Sequence, residues 1–450
     1  LRGERWGLAE IPREDPATYD MICRADTVGV FQIESRAQMS MLPRLRPRAL
    51  YDLVVEVAIV RPGPIQGGMV HPYLQARERA RRGEPLMLEK EDLRPALKRT
   101  LGVPIFQEQV MQIAMIAAGF DAGEADELRR SMAAWRRHGS VHKFEGRLKQ
   151  GMADRGYPPD FAERIFQQML GFGEYGFPES HAYSFAQLAY FSSWLKCHEP
   201  ACFLAALLNS QPMGFYSPSQ LVQDARRHGV RVLPIDATVS GWDCTIEGAQ
   251  QPVPGVAQPQ PAVRLGLRLV AGLGRPAVLR LLQARGVAGL AAASDVNALD
   301  ALAVWSDPGT RPFGSTEDLS LRARLEPADL QALAAADALR ALSGHRRQQV
   351  WDAAAQLRAP PLLRDAPVDE PAQALPEAPE GEEILFDYAS TGFTLRRHPL
   401  ALLRPRLERW KLSSALQLQA TPHGRRVRAC GIVTVRQRPG SANGTMFVSL

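Results

Sequence analysis

In Asp121-Ala122-Gly123-Glu124-Ala125-Asp126-Glu127-Leu128-Arg129-Arg130-Ser131-Met132-Ala133-Ala134-Trp135-Arg136-Arg137-His138 the order of residues dictates a helix over about 122–137. Asp121 is a good N-cap, and Glu124 three residues on completes a capping box. Leu128, Met132 and Trp135 recur at i, i+4, i+7 and make one apolar face. At ~100° per residue Arg129 and Arg136 share one column, Arg130 and Arg137 the next, and all four avoid the apolar stripe. Such a face is either simply solvated or a surface for phosphate.

The same helical periodicity runs from Tyr19 to about Ser210, broken by Arg61-Pro62-Gly63-Pro64 and Gly171-Phe172-Gly173. A second helix is expected from about Ser180 through Lys196, with Phe185, Leu188, Ala189, Phe191 and Leu195 as its apolar residues, until Pro200 ends it and starts the next. Its start follows the loop Gly171-Phe172-Gly173-Glu174-Tyr175-Gly176-Phe177-Pro178-Glu179. A helix start with free backbone N–H groups suits an anion, although an ordinary loop-to-helix connection has the same look.

Residues from about 216 to 355 read as another unit. There Leu265-Gly266-Leu267-Arg268-Leu269-Val270-Ala271-Gly272-Leu273-Gly274 leads into a helix at Pro276–Leu282. A Gly-hydrophobic-Gly hairpin lets backbone N–H groups approach a DNA phosphate without a Cβ in the way; alone it is weak, because Gly-Leu-Gly is common. Pro360, Pro361, Pro367, Pro371, Pro376 and Pro379, among many acids, mark an extended, mobile linker over 358–386. After it, Val427–Arg436 and Met446–Val448 read as strands around a turn at Pro439–Gly444.

Composition bounds the function. At 450 residues the chain is long enough for two to four domains. No apolar run reaches the ~18 residues of a membrane span, so a membrane partner is not expected and the location is read as cytoplasmic. Cys23, Cys197, Cys202, Cys244 and Cys430 are scattered, and the one close pair lacks zinc-site spacing, so no metal ligand is assigned and the thiols read as reduced. A net charge of +6 favours a polyanionic partner such as nucleic acid, although a GC-rich genome would also yield many Arg and Ala. The first residue is Leu1 and the last, Leu450, falls within an expected strand, so the chain reads as an excised or incomplete segment.

Four strings now stand in order: Gly29-Val30-Phe31-Gln32-Ile33-Glu34-Ser35-Arg36, Arg61-Pro62-Gly63-Pro64-Ile65-Gln66-Gly67-Gly68-Met69, Phe106-Gln107-Glu108-Gln109-Val110-Met111 and Tyr175-Gly176-Phe177-Pro178-Glu179-Ser180-His181. Together they resemble the fingers of the bacterial DNA polymerase III alpha subunit (DnaE-type, C-family), and the resemblance covers essentially the whole chain. Met132-Ala133-Ala134-Trp135-Arg136-Arg137-His138, Trp194-Leu195-Lys196-Cys197-His198 and Leu208–Tyr216 look like the error-prone, damage-induced branch rather than the replicative one. Tyr183 departs from the small residue expected there.

The resemblance implies a mainly α, multi-domain chain with an incomplete C-terminal β domain. Residues 1–215 would be fingers with the end of the palm connection, 216–357 a tandem helix-hairpin-helix region, 358–386 the linker and 387–450 the start of an OB-fold. It also implies nucleotidyl transfer in translesion synthesis, with Mg²⁺ held by palm carboxylates upstream of this segment, so no catalytic residue is assigned here. Arg129, Arg130, Ser180 and His181 are the candidates for binding the incoming dNTP; Arg61, Arg136, Arg137, Gly272 and Gly274 are those for DNA. Partners would be primer-template DNA, dNTPs and, through an accessory polymerase-like protein, the sliding clamp. The main alternative is a non-enzymatic scaffold of helix-hairpin-helix and OB modules, which has no reason to carry the fingers strings.

Overall fold

The computed structural model describes residues 7–61, 64–65, 68–138, 143–171, 178–214, 216–287, 299, 313–356, 373–433, 435–438 and 444–449, except for the side chains of 132–138, 171, 249 and 449. The chain divides into two compact units, Leu1–Phe203 with Pro252–Gln260, and Leu204–Gln251 with Pro261–Leu450.

The first unit is helical and is organised around α3. Helix α1 (Pro16–Cys23) starts at Asp15, whose carboxylate accepts the Thr18 N–H at 2.8 Å. Helix α2 (Arg36–Leu45) leads to α3 (Leu50–Ile59), in which Leu53, Val54, Val55, Glu56, Val57, Ala58 and Ile59 have no exposed surface. Val54-Val55-Glu56-Val57 is poor helix former by propensity. A segment buried all round nevertheless holds as a helix once packing on every side replaces water, which is tertiary context overriding intrinsic preference.

Helix α4 (Val70–Arg81) supplies Arg77, which pairs with Asp52 of α3 at 2.5 Å. Helix α5 (Gln107–Ala118) is held at its start by the buried Gln109 amide. That side chain accepts the N–H groups of Ile105 and Phe106 at 2.8 and 3.1 Å, and donates to the Ala96 carbonyl and the Thr100 hydroxyl at 2.8 and 2.7 Å. All its polar atoms are satisfied, so it fixes the entry of the chain without a desolvation cost. Gly119, at φ +70°, ends the helix in the left-handed conformation.

Helix α6 (Ala122–His138) starts with the expected reciprocal cap: Glu124 N–H donates to Asp121 Oδ1 at 2.8 Å and Asp121 N–H to Glu124 Oε2 at 3.0 Å. Helix α7 (Glu145–Asp154) packs on α5 closely enough that a Cβ at Gly151 would lie 2.1 Å from the Ala118 carbonyl oxygen. Helix α8 (Pro159–Gly171) follows.

Helix α9 (Glu179–His198) lies along α3 and is longer than expected by a residue or two at each end. Its buried residues are Ala182, Ala186, Ala189, Tyr190, Ser193, Trp194 and Lys196, while Leu188 and Leu195 of the expected apolar set are exposed. The correction has a steric cause: α3 is buried on every side, and the alanine column lets the two backbones approach, so small residues rather than large ones take the interface. Pro200 ends α9 and opens α10 (Pro200–Asn209), as the sequence implied.

In the second unit α11 (Pro218–Arg227) precedes a small sheet of β1 (Val232–Leu233), β2 (Thr245–Gln251) and β3 (Gln260–Arg264), in the order β1-β3-β2 with β1 parallel to β3. A 3-10 turn at Leu267–Leu269 then leads through Gly272 and Gly274 into α12 (Arg275–Ala284), one residue earlier than expected. Helices α13 (Thr316–Ala323), α14 (Pro327–Ala335) and α15 (Arg346–Ala355) follow.

Helix α16 (Glu380–Ser390) begins inside the stretch expected to be mobile linker. Pro379 gives an extended N-cap and Glu380, Glu382 and Glu383 load the first turn with the charge a helix start favours. The decisive contact is electrostatic. Arg346, almost fully buried, pairs with Asp387 and with Glu383 Oε2 at 3.1 Å, and donates to the Glu383 carbonyl at 2.7 Å. Arg396 adds bonds to Asp337 at 3.0 Å, Glu383 at 2.9 Å and Asp387 at 3.0 Å. Helix α17 (Pro399–Arg409) comes next.

At the end, β4 (Val435–Gln437) and β5 (Phe447–Ser449) form a two-stranded antiparallel ribbon, with Arg436 opposite Val448. Much of the strand expected over Val427–Arg436 stays unpaired, with Val427, Ile432 and Val433 exposed, because a strand needs a partner edge to satisfy its backbone.

Candidate nucleotide and DNA interface

Arg129 and Arg130 both reach back along α6 to one carboxylate. Arg129 donates through Nε and Nη2 to Asp126 Oδ1 at 3.0 and 2.8 Å, and Arg130 Nε lies 3.0 Å from Asp126 Oδ2. The hydrogen bond from Arg129, joined by the charge of both arginines, holds the Asp126 carboxyl below its ordinary range. The Arg130 side chain is 66% exposed and that of Arg129 36%, so both can be reached from solvent. Exposed i,i+3 and i,i+4 pairs are worth only ~0.2–0.5 kcal/mol each, so a triphosphate could take either guanidinium from Asp126 at little cost. Arg136 and Arg137 lie on the backbone of the same helix, but their side chains fall outside the described residues.

Ser180 and His181 stand in the first turn of α9, Ser180 exposed and His181 half-buried. The His181 ring packs 4.3 Å from Phe185, which in turn lies 5.3 Å from Phe31. The glycine-rich loop before them, residues 172–177, lies outside the described residues. The helix start itself is not an open anion cradle: the Glu179 N–H donates to Glu108 Oε2 of α5 at 3.1 Å. Glu179 also accepts from the Tyr51 hydroxyl at 2.9 Å and pairs with Arg99 at 2.7 Å, while the Arg99 guanidinium stacks 4.0 Å over the Tyr51 ring. These four residues, with Asp126, are neighbours of the candidate site to which motif reading assigned no role. Asp126 was detectable in principle, since an acid three and four residues before two arginines is the spacing of a shared ion pair.

The remaining candidates are placed as follows. Arg61 folds back on α3, its Nε donating to the Val57 carbonyl at 3.2 Å. Gly272 has φ +82°, and a Cβ there would meet nothing within 4 Å, so the residue is required by its backbone conformation and faces open space. Gly274 is the N-cap of α12 with an extended backbone. Gly266, by contrast, is a packing glycine: a Cβ would lie 2.4 Å from the Trp242 carbonyl oxygen. Among the described residues no helix is long and apolar enough to cross a membrane.

Comparison with known proteins bears on the whole chain. Residues 1–156 match the bacterial DNA polymerase III alpha subunit finger domain, and residues 229–293 match the helix-hairpin-helix motif. The error-prone DNA polymerase of Bordetella bronchiseptica is 59% identical over 450 residues, 100% of this chain and 40% of that protein. That of Burkholderia pseudomallei is 58% identical over 452 residues, again 100% of this chain and 40% of the relative, and that of Alkalilimnicola ehrlichii 55% identical over 450 residues, 100% and 41%. The chain therefore spans about two fifths of the length of these relatives. With the finger domain, the helix-hairpin-helix motif and this identity along its full length, the chain is similar throughout to a segment of DnaE-type, DNA polymerase III alpha-like proteins, relatives named error-prone DNA polymerase among them.

Proposed function

We propose that this segment is the part of an error-prone, DNA-directed DNA polymerase that holds the incoming nucleotide and the primer-template, in synthesis across damaged DNA. The observation that carries the reading is the identity of 55–59% to proteins of that name along the whole chain. In that role Arg129 and Arg130 exchange Asp126 for phosphate oxygens, because a guanidinium fork matches a phosphate and neutralises the charge that develops as the α-phosphate is attacked. Ser180 and His181 reach the same triphosphate through their side chains in this reading, since Glu108 already takes a backbone N–H at the start of α9. The backbone around Gly272 and Gly274, with Arg61, Arg136 and Arg137, holds the duplex through its phosphates.

The acids of α6 are already engaged and do not fit a pair of catalytic metal ions: Asp126 by two arginines, Glu124 by the helix cap and by Arg147 at 3.5 Å, and Glu127 by Lys143 at 2.5 Å. The divalent ions, Mg²⁺ in this reading, are assigned to carboxylates outside this segment by the resemblance. Residues 387–450 are proposed to begin an OB-fold, and recruitment to the sliding clamp to pass through an accessory protein, since the stretch from Pro360 to Ile384 is proline-rich and acidic.

The test pairs binding with chemistry. The purified segment is expected to bind primed DNA, and to leave the primer unextended with Mg²⁺ and all four dNTPs. Extension by the segment alone, or failure to bind primed DNA at low salt, would overturn the proposal.

A further inference from the structure

At the last turn of α9, metal-ligating side chains from two distant parts of the chain converge. His198 Nε2 lies 2.8 Å from Asp15 Oδ2, across 183 residues of sequence. The Cys197 sulfur, a His198 ring nitrogen and an Asp15 carboxylate oxygen all lie within 4.8 Å of one another. The site is reachable: the His198 and Asp15 side chains are 22% and 20% exposed, and Cys197 is half-buried.

The surroundings hold the three groups in place. The Thr18 hydroxyl and N–H donate to Asp15 Oδ2 at 2.7 and 2.8 Å. The Tyr190 hydroxyl accepts the Asp15 N–H at 2.8 Å and donates to the Pro12 carbonyl at 2.7 Å. The Trp194 ring lies 4.9 Å from the His198 ring, and Gln260 Nε2 donates to the His198 carbonyl at 2.9 Å. The neighbouring cation, Lys196, is turned elsewhere, 3.2 Å from Asp26 and 3.0 Å from the Val28 carbonyl.

We propose that Asp15, Cys197 and His198 form a site for a zinc-class divalent cation, three protein ligands with solvent in the fourth position, which fastens the start of α1 to the end of α9. The donor set decides the class: one sulfur, one imidazole nitrogen and one carboxylate oxygen suit zinc, whereas calcium and magnesium take oxygens. The distances fit with small movements. Metal–ligand bonds of ~2.0–2.3 Å in a tetrahedron keep ligand atoms roughly 3.3–3.8 Å apart. The Asp15–His198 contact would thus open by about half an ångström while the sulfur draws in. Asp15 need not give up its cap, because a carboxylate has two oxygens and one can stay with Thr18.

Charge and protons balance. A thiolate and a carboxylate neutralise a dication, and the imidazole binds uncharged. Each ion bound exchanges the S–H bond of Cys197 for a metal–sulfur bond and releases that proton to solvent.

The experiment is a Co²⁺ titration of the whole chain, first stripped with chelator. A thiolate-to-cobalt charge-transfer band in the near ultraviolet is expected, saturating at one ion per chain, releasing one proton and bleached by Zn²⁺. Cys197→Ser should abolish the band, and His198→Gln should weaken the affinity at least tenfold. Asp15→Asn, which retains a helix cap, should weaken it similarly. Cys23→Ser and Cys430→Ser should leave the titration unchanged. Circular dichroism identifies any variant that fails to fold, and a folded member of the other two then decides. No band in the unaltered chain, or a band of equal strength in folded Cys197→Ser or equal affinity in His198→Gln and Asp15→Asn, would overturn the site.

Discussion

At the scale of single residues, Arg129 separates nucleotide contact from general attraction to DNA. In the full-length enzyme Arg129→Ala should raise the nucleotide KM or lower kcat by roughly 1.5–3 kcal/mol, with DNA affinity nearly unchanged. Arg136→Ala, about two helical turns further along, should instead weaken DNA binding for all sequences and reduce its salt slope by about one. Nucleotide titration and salt-dependent binding on both variants check this, and identical behaviour of the two would refute the division. Glu56 offers a different test. It has no exposed surface, neither carboxylate oxygen has a hydrogen-bond partner, and burial raises its pKa well above the usual carboxylate range. In the unfolded chain the group ionises from about 4.5, while the folded one keeps its proton. Above that pH the unfolded state binds fewer protons, so stability falls as pH rises, by up to about 1.4 kcal/mol per unit until the folded carboxyl titrates. Urea midpoints between pH 5 and 8 should show this decline, and Glu56→Gln should flatten it; parallel curves would show that the carboxyl is solvated after all. Arg129 and Arg130 were legible because helical spacing sets them off the apolar stripe, whereas the side chains of Arg136 and Arg137 lie outside the described residues. Asp15, Cys197 and His198 were not, since only tertiary structure brings residue 15 to residue 198.

At the scale of elements, starts and stops were legible and faces less so. Asp121, Glu124 and Pro200 act locally, through capping and the missing proline N–H, so their effect depends on few neighbours. The buried face of α9 depends on what α3 presents to it, which no periodicity within residues 179–198 records. Helix α16 was hidden for a similar reason: its sequence is acidic beside a proline-rich run, and its place is set by Arg346 and Arg396. Removing one partner leaves buried carboxylates uncompensated, so Arg346→Ala should destabilise the second unit by about 3–5 kcal/mol. A thermal melt of the segment would read this as a lowered transition, and an unchanged melt would mean that α16 contributes little to folding. Gly272→Val tests the hairpin: forcing a β-branched residue to φ +82° should cost about 1–3 kcal/mol and lower DNA affinity without altering sequence preference.

At the scale of the whole chain, the fingers were legible because their strings stand in order and the helix-hairpin-helix region through its glycine hairpin, while the terminal β region was legible as strands around a turn, with β4 paired to β5 and an isolated bridge from Ser413 to Ala429 among the described residues. A pull-down with purified sliding clamp at micromolar concentration is expected to retain none of this segment; retention would count against recruitment through an accessory protein. The length of α9 has a mechanical consequence. Its 20 residues make a rod of about 30 Å, with Ser180 and His181 at one tip and Cys197 and His198 at the other. A rod amplifies rotation: a tilt of ~5° about one tip sweeps the other through roughly 2–3 Å, enough to gain or lose a hydrogen bond. Anchoring the Cys197–His198 tip to Asp15 makes that end a pivot, so the precision with which the opposite tip is aimed is set some 30 Å away, by how firmly the pivot is held.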